Sequence, residues 1–140
     1  MPEFFAPLPA AAVGLMVLND RVLKPRFHNA VTGKLSDIAI CFFLPLFTSA
    51  LLGVVRPGHP RARVLVGAAI AAFVFAALEI WEPFQQAFLV GLRRVGAPLG
   101  LRHFVFTSDP SDLLALLVVP LAVAYGCKRL GKTRPERTLL

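Results

Sequence analysis

The chain has 140 residues, 56% of them hydrophobic, with a mean hydropathy of +0.69 and a formal net charge of +7. That is too apolar for a single water-soluble domain, so lipid is the expected solvent. With two cysteines, three isolated histidines and no Gly-rich phosphate loop, Gly-x-Ser-x-Gly elbow or His-Glu-x-x-His helix, the chain carries no disulfide framework, no metal motif and none of the familiar soluble catalytic signatures, and no cofactor is expected.

In chain order, the first helix is expected over residues 4–20. It lacks the basic n-region of a secretory signal and is read as a membrane helix. The second is expected over 36–55, the third over 64–82 and the fourth over 110–127. Each contains a stretch of 15 to 18 residues with no Asp, Glu, Lys or Arg. A crossing of roughly 30 Å needs about 20 residues, so the flanking polar residues must be drawn into the helices. The expected fold is all-α, a four-helix polytopic membrane bundle in one transmembrane domain over 1–140. Residues 83–101 suit an amphipathic segment lying at the interface, with Trp81, Phe84 and Phe88 as an aromatic belt. Cys41 and Cys127 fall near opposite ends of their helices, too far apart in depth to bridge.

Six of the eight acidic residues, Asp20, Asp37, Glu79, Glu82, Asp109 and Asp112, lie at the edges of the apolar stretches. Carboxylates are costly near hydrocarbon, so acids gathered at one depth point to a polar site. Thr32-Gly-Lys-Leu-Ser36-Asp37 opens the second expected helix and Thr107-Ser-Asp-Pro-Ser111-Asp112 the fourth. In both copies the Asp stands eight residues before a Pro-Leu pair, Pro45-Leu46 and Pro120-Leu121. Such an echo suggests two helical hairpins related as parallel repeats. Glu79, Glu82 and Gln86, at i, i+3 and i+7, would share a helical face, and Pro83 would bend or stop that helix. The candidate polar pocket comprises Lys34, Asp37, Glu79, Glu82, Gln85, Arg102 and Asp112. Its acids can serve as acid and base, bind a cation or pair with the basic residues of the same face, so catalysis stays open.

Four crossings place both termini and the loop 56–63 on one side, which carries eight basic residues and two acids. The other side carries seven basic residues and six acids. The dense basic tail and short basic loop favour cytoplasmic termini. The expected location is the bacterial cytoplasmic membrane, crossed several times. The basic excess suits anionic lipid, and no nucleic acid is expected as a partner.

Lys34-Leu-Ser-Asp37, Glu82-Pro-Phe-Gln85, Arg93 or Arg102, and Asp112-Leu-Leu-Ala follow one another along residues 34–126. Their order resembles that of the VanZ-like family of small bacterial membrane proteins, which has Lys-x-x-His, then Glu-x-x-Gln, then an Arg and an Asp. Asp37 stands where that family has His, and Leu116 where an Asn commonly follows the Asp, so a proton-transfer role for that His does not carry over. The resemblance implies a cell-envelope role, tied in some members to glycopeptide-antibiotic tolerance.

The leading expectation is a membrane protein with a polar pocket at the extracytoplasmic face. Lys34 and Arg102 would hold the headgroup of an anionic lipid or lipid-linked precursor, either bound or modified there. A small transporter or proton-coupled carrier is one alternative, and a non-enzymatic assembly subunit is another.

Overall fold

A computed structural model describes residues 7–27, 29–99 and 109–132, and these are almost wholly helical, with no strand among them. The first rod begins with α1 (Pro7–Leu18), passes through a π-helical turn (Asn19–Leu23) and ends with α2 (Lys24–Phe27). Backbone angles at both joints stay right-handed, φ −61° and ψ −44° at Leu18 and φ −56° and ψ −49° at Lys24. The π turn is therefore a local change of register within one rod, not a break.

The longest helix, α3 (Ala30–Val55), opens well before the expected position 36. Asn29 explains this. Its side chain accepts from the Thr32 N–H at 2.9 Å, while the Thr32 hydroxyl accepts from the Asn29 N–H at 3.3 Å. This reciprocal cap satisfies two free donors, and it draws Lys34, Ser36 and Asp37 into the helix.

After a turn through His59, which takes a left-handed conformation (φ 46°), Pro60 starts α4 (Pro60–Ile80). α3 and α4 pack most extensively of all pairs. Their closest approach is at Gly67, where a Cβ would fall 2.7 Å from the Ser49 nitrogen and 2.9 Å from the Pro45 carbonyl oxygen. Pro45 lies within α3 and withholds one helix hydrogen bond there.

α4 stops at Trp81, whose backbone is extended (φ −122°, ψ 91°), and α5 (Glu82–Gly96) follows with Pro83 in its first turn. Trp81 stacks on Phe84 at 5.9 Å between ring centroids, and Phe84 meets Phe73 of α4 edge-on at 6.4 Å. A short 3-10 turn (Ala97–Leu99) ends this segment.

The last rod starts as a nine-residue 3-10 helix (Pro110–Val118) and continues as α6 (Val119–Lys132). Runs of 3-10 geometry beyond three or four residues are uncommon, because side chains at i and i+3 eclipse. Here that eclipse is used: Ser111, Leu114, Leu117 and Pro120 form the exposed edge at every third residue, and Ala115 points inward.

Three helical segments, Val31–Val55, Pro60–Ile80 and Pro110–Leu130, are long and apolar enough to cross a membrane. Their outward side chains are apolar too, Val55 being 80% and Leu117 75% exposed. Such a surface is compatible with a membrane protein and costly in water. Cys41, Phe75 and Ala115 form a buried core with Ile40, Leu116 and Val119. Toward the other end, Gly126 of α6 lies against Leu46 and Val64, both fully buried.

Candidate functional site

Each member of the buried core lies one helical turn inside a carboxylate. Asp37 precedes Cys41 by four residues on α3, Glu79 follows Phe75 by four on α4, and Asp112 precedes Ala115 by three in the 3-10 segment. Given the periods of the two helix types, each carboxylate sits above its core partner on the same face. Three acids from three helices therefore crown one apolar floor.

The link between them is Lys34. Its ammonium donates to the Ser111 hydroxyl at 2.5 Å and to Asp112 Oδ1 at 2.7 Å. The lysine of the first Ser-Asp motif thus grips the serine and aspartate of the second. The Asp37 carboxylate lies within electrostatic reach of Asp112, Lys24, Glu79 and Lys34. Glu79 is buried, and its Oε2 accepts the backbone N–H of Asp109 at 3.0 Å, which ties the end of α4 to the start of the last rod. Asp109 in turn accepts the Ser111 N–H at 2.9 Å as the N-cap. Side-chain and backbone hydrogen bonds from Ser111 hold the Asp109 carboxyl below its ordinary range.

The first rod joins at the same end. Asn19 is fully buried, and its Nδ2 donates to the Thr32 carbonyl at 2.6 Å and to the Ser36 hydroxyl at 2.8 Å. The Ser36 hydroxyl passes the chain on to Asp20 Oδ1 at 2.6 Å, and Lys24 pairs with the same oxygen at 3.0 Å. Four rods thus bring polar side chains to one end of the molecule.

Of the residues singled out from sequence, Lys34, Asp37, Glu79 and Asp112 meet. Gln85 is buried in α5, where its amide donates to the Leu78 carbonyl at 3.3 Å. In an unbroken helix that carbonyl would accept from Glu82, so the side chain repairs the break at Trp81. The same break corrects the expectation that Glu79, Glu82 and Gln86 share one face. The helical phase resets at Trp81, leaving Glu79 buried and both Glu82 and Gln86 exposed. Arg102 lies outside the described residues. Sequence reasoning gave no site role to Thr32 or Lys24, which act through a backbone carbonyl and an i, i+4 pair that residue spacing leaves weakly marked.

No group of His, Cys, Asp and Glu among the described residues could hold a metal ion. The arrangement can bind and orient a polar group: the ammonium groups of Lys34 and Lys24, several carboxylates and the Ser36 and Ser111 hydroxyls stand at one end above an apolar floor. Compared with protein-family models, with curated proteins and with solved structures, the chain matches none.

Proposed function

We propose that the chain is a four-crossing protein of the bacterial cytoplasmic membrane, whose polar end lies at the extracytoplasmic face and takes the headgroup of an anionic lipid or lipid-linked envelope precursor. The first rod is assigned the fourth crossing: its apolar residues 7–18 are helical and cover about 18 Å at about 1.5 Å per residue, and the apolar residues 4–6 precede them in the sequence. The orientation is supported by Arg56, Arg61, Arg63, Lys128 and Arg129 at the opposite end, where the described residues include no acid. The two hairpins, joined through Lys34 and the Ser111-Asp112 pair, form the parallel repeat.

The single observation that carries this reading is the meeting of Lys34 with Ser111 and Asp112 above the core of Cys41, Phe75 and Ala115. Asp112 and Ser111 hold the ammonium in place, and Asp37 and Glu79 line its surroundings. The VanZ-like resemblance points to the same end of the molecule, since Lys34, Glu82, Gln85 and Asp112 match its motifs there, while Asp37 departs from them.

The test is the anionic lipid retained by the purified full chain carrying Arg56→Gln and Arg63→Gln, so that the basic end does not contribute. Lys34→Ala is expected to lower retention about tenfold, the scale of one charge-assisted contact. Arg94→Ala, which removes an exposed charge on α5, should leave it unchanged. Unchanged retention in Lys34→Ala sinks the proposal.

A proton-coupled carrier is the second reading, favoured by the three carboxylates Asp37, Asp112 and Glu79 against the two ammonium groups of Lys24 and Lys34. The apolar floor opposes it, because a route inward would have to pass the buried Cys41, Phe75 and Ala115. Proton flux in proteoliposomes of the same preparation, abolished by Asp37→Asn, would favour this carrier over lipid binding.

A further inference from the structure

At the end opposite the carboxylates, the turn between α3 and α4 encloses a cleft of about 580 Å³. Arg56, His59 and Arg63 line its polar part, and Leu52, Val55 and Val66 its apolar part. The guanidinium of Arg63 folds back across the turn onto α3 at Gly53. A Cβ at Gly53 would collide with Arg63 Nη1 and stand 3.1 Å from Cζ, so the missing side chain is what lets the guanidinium lie there.

We infer that this cleft is a binding site for an anionic phospholipid, separate from the polar end and independent of the function proposed for it. Charge complementarity selects the headgroup. Residues 38–78 contain three arginines and no acidic residue, so an anion entering from solvent meets only cationic side chains of this hairpin. The apolar wall selects a lipid over a soluble anion. Val55 and Val66 are 80% and 49% exposed and continue the outward surface of helices long enough to cross a membrane, where an acyl chain would run. The cleft also falls in the size range of sites for molecules much larger than phosphate, about 300–1,000 Å³. Arg63 and Arg56 hold the phosphate, with guanidinium geometry suited to its oxygens. Gly53 is a positioning residue that acts through Arg63.

The experiment uses the full chain carrying Lys34→Ala, so that the polar end does not contribute. The chain is titrated in detergent with phosphatidylglycerol and separately with phosphatidylcholine, and bound lipid is read by native mass spectrometry. Phosphatidylglycerol should bind at least about tenfold more tightly than phosphatidylcholine, and Arg63→Gln and Arg56→Gln should each remove about tenfold of that affinity. Arg61→Gln removes the same charge from the same loop outside the cleft lining and should change binding less than about twofold, as a screened surface charge does. Gly53→Ala keeps every charge and improves helix propensity, yet should weaken binding by displacing the guanidinium.

Equal losses in Arg61→Gln and Arg63→Gln would show diffuse attraction and overturn the site. Displacement of the lipid by inorganic phosphate at millimolar concentration would replace the lipid with a soluble anion and overturn it equally. So would unchanged binding in Arg63→Gln, or a second copy of the chain occupying the cleft in place of lipid.

Discussion

Gly67→Val is expected to force α3 and α4 apart and to lower stability by about 1–3 kcal/mol, the usual cost of overpacking a close-packed contact. The reason is backbone against backbone. A Cβ at position 67 would fall 2.7 Å from the Ser49 nitrogen and 3.1 Å from its Cα, and neither atom can rotate away as a side chain could. Helices in lipid associate through such small-residue contacts, because lipid removes the hydrophobic drive between them. Gly67 is followed by Ala68 and Ala71 on the buried face. Thermal unfolding in detergent gives the measurement, and Ala69→Val, exposed on the same helix, provides the comparison. A Gly67→Val protein as stable as Ala69→Val would mean that the two helices do not approach at this point.

Asn19→Leu is expected to cost about 1–3 kcal/mol, from the loss of two interhelical hydrogen bonds worth about 0.6 to 1.7 kcal/mol each in a membrane setting. Leucine keeps the branched skeleton of asparagine with bulkier methyl ends, so no cavity opens and the cost combines lost polar contacts with tighter packing. Part of it is recovered, because Asn19 Oδ1 is buried with no hydrogen-bond partner among the described residues and leucine removes that burden. Equilibrium unfolding measures the cost, and hydrogen exchange locates it. Amides of the first rod should exchange faster while those of α4 stay protected. Uniform protection would mean that Asn19 does not anchor the first rod to α3.

The general plan was legible because four stretches of 15 to 18 residues without charge leave few alternatives to helices, and the described residues are almost wholly helical. Alternating helix directions also bring the start of α3, the end of α4 and the start of the last rod to one end, so residue order alone places Lys34, Asp37, Glu79 and Asp112 at a common level. The start of α3 was less legible. The expected boundary followed Ser36 and Asp37, whereas the cap belongs to Asn29 and Thr32, and Asp37 stands well inside the helix while Asp112 stands in the first turn of its own. Pro83 foretold a break but not its phase, and a helix that restarts after one extended residue turns Glu82 away from Glu79. The π turn at Asn19 and the nine-residue 3-10 segment left no mark in composition. Both depart from 3.6 residues per turn in segments that pack against α3, a contact that local sequence does not contain.

The most direct test of the central claim, that polar ends from all four rods gather at one face of the membrane, is one-sided labelling of single cysteines with an impermeant maleimide in right-side-out and inverted vesicles. Asp20→Cys and Ser111→Cys, in a chain with Cys41 and Cys127 replaced by alanine, should react from the same side, and Arg61→Cys only from the other. Labelling of Asp20→Cys and Ser111→Cys from opposite sides would contradict the account.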